Sequence, residues 1–276
     1  MSESITSRPY RNFDDFQRVH DLLTATYPVT PLGWNWEFRR WEGWHFHHET
    51  DGWLPQWSEQ VHLWETADGQ LAGVAHTEYN RGDAYLELYP EFRQLEADMI
   101  GWAEARLAVP IEGGQQQLDW YVLEYDEPRQ RLLSDRGYTQ IEHAGVVRRL
   151  HFGDRPLPDV KLAPGYTLRG LRRDDWDDCQ RIADVLNAAF NRTIHHAAEF
   201  HRFATRAPSF RYELQLVAEA PDGSFAAHVG VNYQPTSRYG VFEPVCTHPA
   251  HRQRGLAQAL MFDGLHRLAA LGAASV

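Results

Sequence analysis

The chain has 276 residues, 43% of them hydrophobic, 24% charged and 13% aromatic, which is enough for two ordinary domains with their own cores. It has no run of eighteen apolar residues and begins with a polar stretch (MSESITSRPYRNF), so neither a membrane-spanning helix nor a secretory leader is expected. Lys and Arg number 27 against 38 Asp and Glu, a net charge of −11, which disfavours nucleic acid and anionic membranes as partners.

The acidic excess lies in the first half, residues 1–150, and would suit a cationic small substrate as well as simple solubility. Asp14 and Asp15 open an amphipathic helix that carries Phe16, Val19, Leu22 and Leu23 at helical spacing and ends at Pro28 and Pro31. A tryptophan-rich stretch follows, and then two strands joined at Asp68-Gly69, a strong hairpin signal. The alternation in AYLELY predicts a strand, and Phe92 to Leu107 a helix. LDWYVL reads as a strand, Pro128 to Arg136 as a short helix closed by Gly137, and TQIEHAGVVRRL as one or two further strands.

Residues 151–165 hold Pro156, Pro158 and Pro164 with two glycines and no periodicity, and read as a linker. The order then repeats. YTLRGL is a strand, and WDDCQRIADVLNAAF and AEFHRFAT are helices. LQLVAEAPDGSFAAHVGVNY is a hairpin turning at Asp222-Gly223, VFEPVCT is a strand, and the segment from Gly255 onward is a long helix. The two hairpins, each followed by a strand and a helix, lie one domain length apart and argue for internal duplication.

The run most informative about chemistry is Glu243-Pro244-Val245-Cys246-Thr247-His248-Pro249-Ala250-His251-Arg252-Gln253-Arg254-Gly255-Leu256-Ala257. It is a strand, a basic turn and a helix start. The first amides of a helix have no intrahelical acceptor and sit at the positive end of its dipole, which makes an anion cradle. Gly255 admits a left-handed backbone, Ala257 allows close approach, and Arg252 and Arg254 can add charge-assisted bonds.

Arg252-Gln253-Arg254-Gly255-Leu256-Ala257 resembles the Q/R-x-x-G-x-G/A signature of the GNAT superfamily of acyl-CoA-dependent N-acetyltransferases, within the similar context Val245-Cys246-Thr247-His248-Pro249. The resemblance implies an α/β (α+β) fold of two tandem GNAT-like domains, each a mixed, mostly antiparallel sheet flanked by helices. It also implies acetyl-CoA as cosubstrate, bound by the backbone and side chains of Val245, Cys246, Thr247, Arg252, Gln253, Arg254, Gly255, Leu256 and Ala257. Glu243, flanked at period two by Val241 and Val245, falls where the family often keeps a general base and would be partly desolvated there; His228 on the preceding strand is the second candidate. A backbone amide at Val245 or Cys246 would polarise the thioester carbonyl. The implied reaction moves an acetyl group to an amine of a small molecule or peptide by direct attack, in the cytoplasm. The alternative is a non-catalytic acyl-CoA-binding or protein-interaction module.

Aligned on Pro90 and Pro249, the first half places Glu96 where the second has Gly255, and a carboxylate there repels a polyphosphate. Residues 1–150 are therefore expected to be a degenerate domain and residues 166–276 the cofactor-binding one. The second copy stops soon after its long helix, where the family has further strands and often a tyrosine that protonates the departing thiolate. An unpaired sheet edge there would favour a homodimer.

Cys179 and Cys246, too few for a disulfide scaffold, read as packed thiols. His45, His47 and His48 cluster in sequence, as do His195 and His196, but no zinc spacing is present and no metal is expected. His195, His196 and His201 could line an acceptor cleft with Phe190, Asn191, Arg192, Phe203 and Phe210. Trp34, Trp36, Trp41, Trp44, Trp53 and Trp57 read as an aromatic cage or as core, and their scatter favours core for at least half. The nucleotide-binding P-loop and the three-glycine dinucleotide fingerprint are both absent from the sequence.

Overall fold

The structure, a computed structural model, describes residues 4–47, 54–78, 81–142 and 145–276. The chain divides into two compact units, Met1–Phe38 with Thr50–Arg148, and Arg39–Glu49 with Arg149–Val276. Among the described residues no helix is long and apolar enough to cross a membrane.

The first unit opens with β1 (Ile5–Pro9) and α1 (Phe13–Thr26). Asn12 caps α1, its side chain accepting from the amides of Asp14 and Asp15, one turn position earlier than the aspartates alone suggest. Phe16, Val19, Leu22 and Leu23 form the buried face of α1. Helix α2 (Phe38–Phe46) belongs almost wholly to the second unit. After α3 (Leu54–Gln60) come β2 (Val61–Thr66), β3 (Leu71–His76) and β4 (Asp83–Leu88), with Gly69 at φ +89° in the β2–β3 turn.

The expected helix from Phe92 is broken. Residues Pro90–Leu95 form a 3-10 turn, Phe92 departs from helical dihedrals, and α4 spans Glu96–Leu107. Two residues each make up β5 (Val109–Pro110), β6 (Gln116–Gln117) and β7 (Asp119–Trp120), followed by α5 (Glu127–Asp135). The main sheet runs β1-β2-β3-β4-β7, antiparallel except for the β4–β7 pair. The strands expected in 139–150 do not form among the described residues. Ile141, Val146 and Val147 are exposed, because alternation becomes a strand only where a sheet edge accepts it.

The second unit contains β8 (Thr167–Gly170), α6 (Trp176–Phe190), α7 (Ala197–Arg206), β9 (Gln215–Glu219), β10 (Phe225–Gln234), β11 (Tyr239–Thr247) and α8 (Leu256–Ala270). Its sheet is antiparallel throughout in the order β11-β10-β9-β8. Val229, Val231, Leu256, Leu260 and Leu268 fill the α8 side, while Cys179, Ile182, Leu186, Phe200, Val217 and Cys246 fill the α6–α7 side. Residues 151–165 hold no helix or strand, yet they are packed: Phe152 is buried and Leu157, Leu162 and Ala163 lie against the core. Leu150 and Phe152 bond in antiparallel fashion to Val276 and Ala274, and Ser275 lies parallel to Tyr239, so an earlier piece of chain flanks the segment after α8.

One four-residue ionic clasp occurs in both units. Arg8 grips Asp15 at 2.6 and 2.7 Å and Glu65 at 2.9 and 3.0 Å, with Arg18 on Glu65. Arg169 grips Asp178 at 2.7 and 2.9 Å and Glu219 at 2.9 Å, with Arg181 beside both. The clasp ties first strand, first helix and second strand together in each unit. Burial alone would raise the Asp178 carboxyl, but Arg169 and Arg172 hold it below its ordinary value. Asp178→Ala leaves part-exposed Arg169 and the Arg172 amide without their charge-assisted partner, and lowers stability by about 1–3 kcal/mol at neutral pH in urea denaturation. A depressed carboxyl contributes above its unfolded pKa and less as pH falls, so the gap between variant and wild type narrows below the ordinary value of 3.8.

Candidate active site

Strand β11 leads into a 3-10 turn at Pro249–His251, a loop, and then α8. Gln253 and Gly255 both take left-handed backbone, at φ +61° and +71°. Gly255 is the N-cap of α8, no side chain caps the helix, and a Cβ built at Gly255 meets nothing within 4 Å. The first amides of α8 therefore face a hollow of about 180 Å³ lined by Thr247 and residues 251–258. Such a cradle is suited to an anion.

Arg252 does not add its charge to the hollow in the way a phosphate clamp would. Its guanidinium bonds to Ala189 O at 3.1 Å and Thr247 O at 3.5 Å, tying the loop to the end of α6. Arg254 is exposed at the mouth. His251 and Gln258 line the hollow although the motif reading passed over them; His251 is held by Tyr166, whose hydroxyl lies 2.9 Å from Nδ1.

Along β11 the register to β10 shifts by one. Val245 pairs with Val229 and Phe242 with Val231, so Glu243 and Pro244 bulge opposite the single residue Gly230. Any Cβ at Gly230 would lie 2.3 Å from Glu243 O, so only glycine fits there, and buried Asn232 donates to the same carbonyl at 3.3 Å. The bulge also interrupts the alternation. Val245 and Phe242 share the α8 face, so Glu243 keeps Val241 as a face neighbour but not Val245. The expected shielding of Glu243 between two valines is thus absent, and the side chain is exposed.

The His248 amide bonds inward to Ala226 O at 2.9 Å. By period-two alternation the Cys246 amide also points toward β10, leaving the backbones of Val245 and Thr247 on the outer edge of β11. No named strand covers that edge among the described residues. Val245 and Thr247 are therefore the two residues of the strand end whose backbone amides and carbonyls face outward, whereas the Cys246 amide points inward. Cys246 is buried, its thiol pushed up to about 11 by burial, which suits a packed residue and not a nucleophile.

His228 is fully buried on the α6–α7 face opposite Cys246, with Nδ1 3.1 Å from Leu216 O. Burial pushes its pKa down to about 4, so it stays neutral and is a poor proton acceptor. His228 is thus enclosed, whereas Glu243 is exposed.

At the start of α7, Asn187 clamps the His195 backbone with bonds of 2.8 and 3.1 Å, and Glu199 contacts both His195 and His47. Burial alone would raise the Glu199 carboxyl, but its bonds to His195 and His47 hold it far below the usual carboxylate range. Burial lowers His47, against the pull of Glu199. His201 lies by Trp176, and Phe203 and Phe210 stack edge-on at 5.4 Å. His48 and Trp53 lie outside the described residues. Trp34, Trp36, Trp41, Trp44 and Trp57 are all buried, which makes them core and not a solvent-open cage.

The counterpart of the cradle in the first unit is filled by its own side chains. Glu96 opens α4 and bonds to Arg129 at 2.8 Å, Arg93 reaches Glu96 at 3.5 Å and also contacts Asp126, and both arginines lie over Trp34 at 5.7 Å. Glu96, Asp126 and Arg129 are buried.

Residues 174–276 match the family model described as Acetyltransferase (GNAT) family. The second unit carries a GNAT domain. GNAT proteins are acyltransferases that draw on acyl-CoA. Likeness of fold extends over the whole chain. A GCN5-related N-acetyltransferase from Sphaerobacter thermophilus is 20% identical at TM-score 0.60, covering 99% of this chain and 85% of that one. A tandem GNAT protein from the clavulanic acid biosynthesis pathway is 14% identical at TM-score 0.56, with coverages of 99% and 89%. N-myristoyltransferase of Saccharomyces cerevisiae, solved with myristoyl-CoA and inhibitors, is 13% identical at TM-score 0.51, with coverages of 100% and 74%. No curated protein matches the chain in sequence.

Proposed function

We propose that the chain transfers an acetyl group from acetyl-CoA to an amine of a small molecule or peptide, using the GNAT domain alone. The open, uncapped start of α8 around Gly255 is the observation that carries this reading. The pyrophosphate lies in the hollow, and the pantetheine arm pairs with the free edge of β11 at Val245 and Thr247. That path leads the thioester toward the bulge at Glu243.

Glu243 takes the proton of the attacking amine, directly or through water, while the Val245 amide stabilises the oxyanion on the thioester carbon. Collapse of the tetrahedral intermediate breaks the carbon–sulfur bond and releases the CoA thiolate, which takes its proton from solvent. The first unit binds no acyl-CoA, since Glu96 and its arginine partners occupy the equivalent position. It serves as a structural or substrate-shaping partner.

Thiol release from acetyl-CoA, measured across a panel of amines, is expected to exceed the uncatalysed background for at least one acceptor. Background rates alongside saturable binding of acetyl-CoA would leave a binding module in place of the enzyme.

A further inference from the structure

A second group of chemistry-bearing side chains meets away from the cradle, at the start of α7. His47 follows α2, His195 closes the loop after α6, and Glu199 stands in the first turn of α7. One ligand-capable atom from each lies within 4.8 Å of the other two, although His47 is far from the others in sequence. We propose that His47, His195 and Glu199 form a binding site for a divalent cation of the zinc class, with a water as the fourth ligand.

The donor set is chemically suitable, since two imidazole nitrogens and one carboxylate are a familiar three-ligand zinc shell with an open position. Metal–ligand bonds of about 2.0–2.1 Å at tetrahedral angles place neighbouring donors about 3.4 Å apart. His195 Nδ1 and Glu199 Oε2 already stand 3.2 Å apart, so the ion needs little rearrangement on that side. The His47 ring is oriented by stacking on Phe203 at 4.5 Å, and Asn187 clamps the His195 backbone, which fixes where that side chain departs. The side chains of His47, His195 and Glu199 are 18%, 15% and 7% exposed, which encloses the group yet leaves it reachable by water.

Glu199 also accepts from the His196 amide at 3.3 Å as part of a helix-capping box. A cap requires only one carboxylate oxygen, however, and the two imidazole Nδ1 atoms gathered on the same carboxylate go beyond what it needs. Arg39, whose guanidinium lies over Phe203, opposes a cation nearby, so binding weaker than that of a structural zinc site is expected.

The test uses the full chain after chelator treatment, titrated with Co2+ and then with Zn2+. One Co2+ per chain should bind with the intense visible absorption of four-coordinate cobalt, and Zn2+ should displace it. His195→Ala and His47→Ala should each weaken binding at least about tenfold, while His201→Ala, in the helix that carries Glu199, leaves it unchanged. Far-UV circular dichroism checks each fold, and His195→Ala suffices if the His47 variant does not fold. Absence of saturable binding, binding that survives His195→Ala, or an equal loss in His201→Ala overturns the site. Because the readout is metal absorption, failure here leaves the acyl-transfer proposal standing.

Discussion

Replacing Gly255 with glutamate weakens acetyl-CoA binding at least about 50-fold, measured as a calorimetric dissociation constant. Two effects act together. A carboxylate about 7 Å from a phosphate charge costs about 2–3 kcal/mol at an effective dielectric of 20. The left-handed backbone at φ +71° adds about 1–2 kcal/mol of strain for any side chain. Space is not the obstacle, because a Cβ at this position meets nothing within 4 Å. Gly255→Ala carries the strain without the charge and stays within about thirtyfold of wild type. The first unit has adopted the charged arrangement at Glu96, where buried Arg129 and half-buried Arg93 neutralise it internally. Full affinity in Gly255→Glu would place the diphosphate elsewhere and remove the basis of the proposed function.

Replacing Glu243 with glutamine lowers kcat by about 10²–10⁴-fold, the usual contribution of a positioned general base. Glutamine keeps the size of the side chain and loses only its ability to take a proton. The backbone of the bulge is held independently, by Gly230 and by the bond from Asn232 to the residue 243 carbonyl, so KM for acetyl-CoA should change little. A kcat loss with constant KM is the signature of an interaction made in the transition state. An unchanged kcat would show that the amine loses its proton to bulk water, which the exposure of Glu243 makes accessible.

The elements that form from local rules were legible in advance. Helix α6 begins at Asp175, whose side chain accepts from the Asp178 amide, and its apolar spacing matches its buried face. Both hairpin turns fall at Asp-Gly pairs, and the cradle is where a glycine-containing turn follows a strand and precedes a helix. The misses share another character. TQIEHAGVVRRL alternates as a strand does, but a strand needs a partner edge, and the described part of that segment makes no pairing in a named sheet. Period-two spacing puts Val245 beside Glu243, but a bulge moves it to the other side. The clasp residues Arg8, Asp15, Glu65 and Arg18 and their counterparts in the second unit look like scattered surface charge until first strand, helix and second strand meet.

By itself the amino-acid order determined the repeated succession of strands and helices, the caps and turns, and the glycine that frees the start of α8, because each depends on atoms within a turn or two of chain. Tertiary structure decided the rest. Which amides of β11 face outward, why His228 stays neutral, what fills the first unit's counterpart of the cradle, and how His47 reaches Glu199 all depend on residues brought together from distant parts of the sequence. Desolvation, strand register and ion pairing are properties of the neighbours a residue acquires on folding, and composition and spacing do not encode them locally.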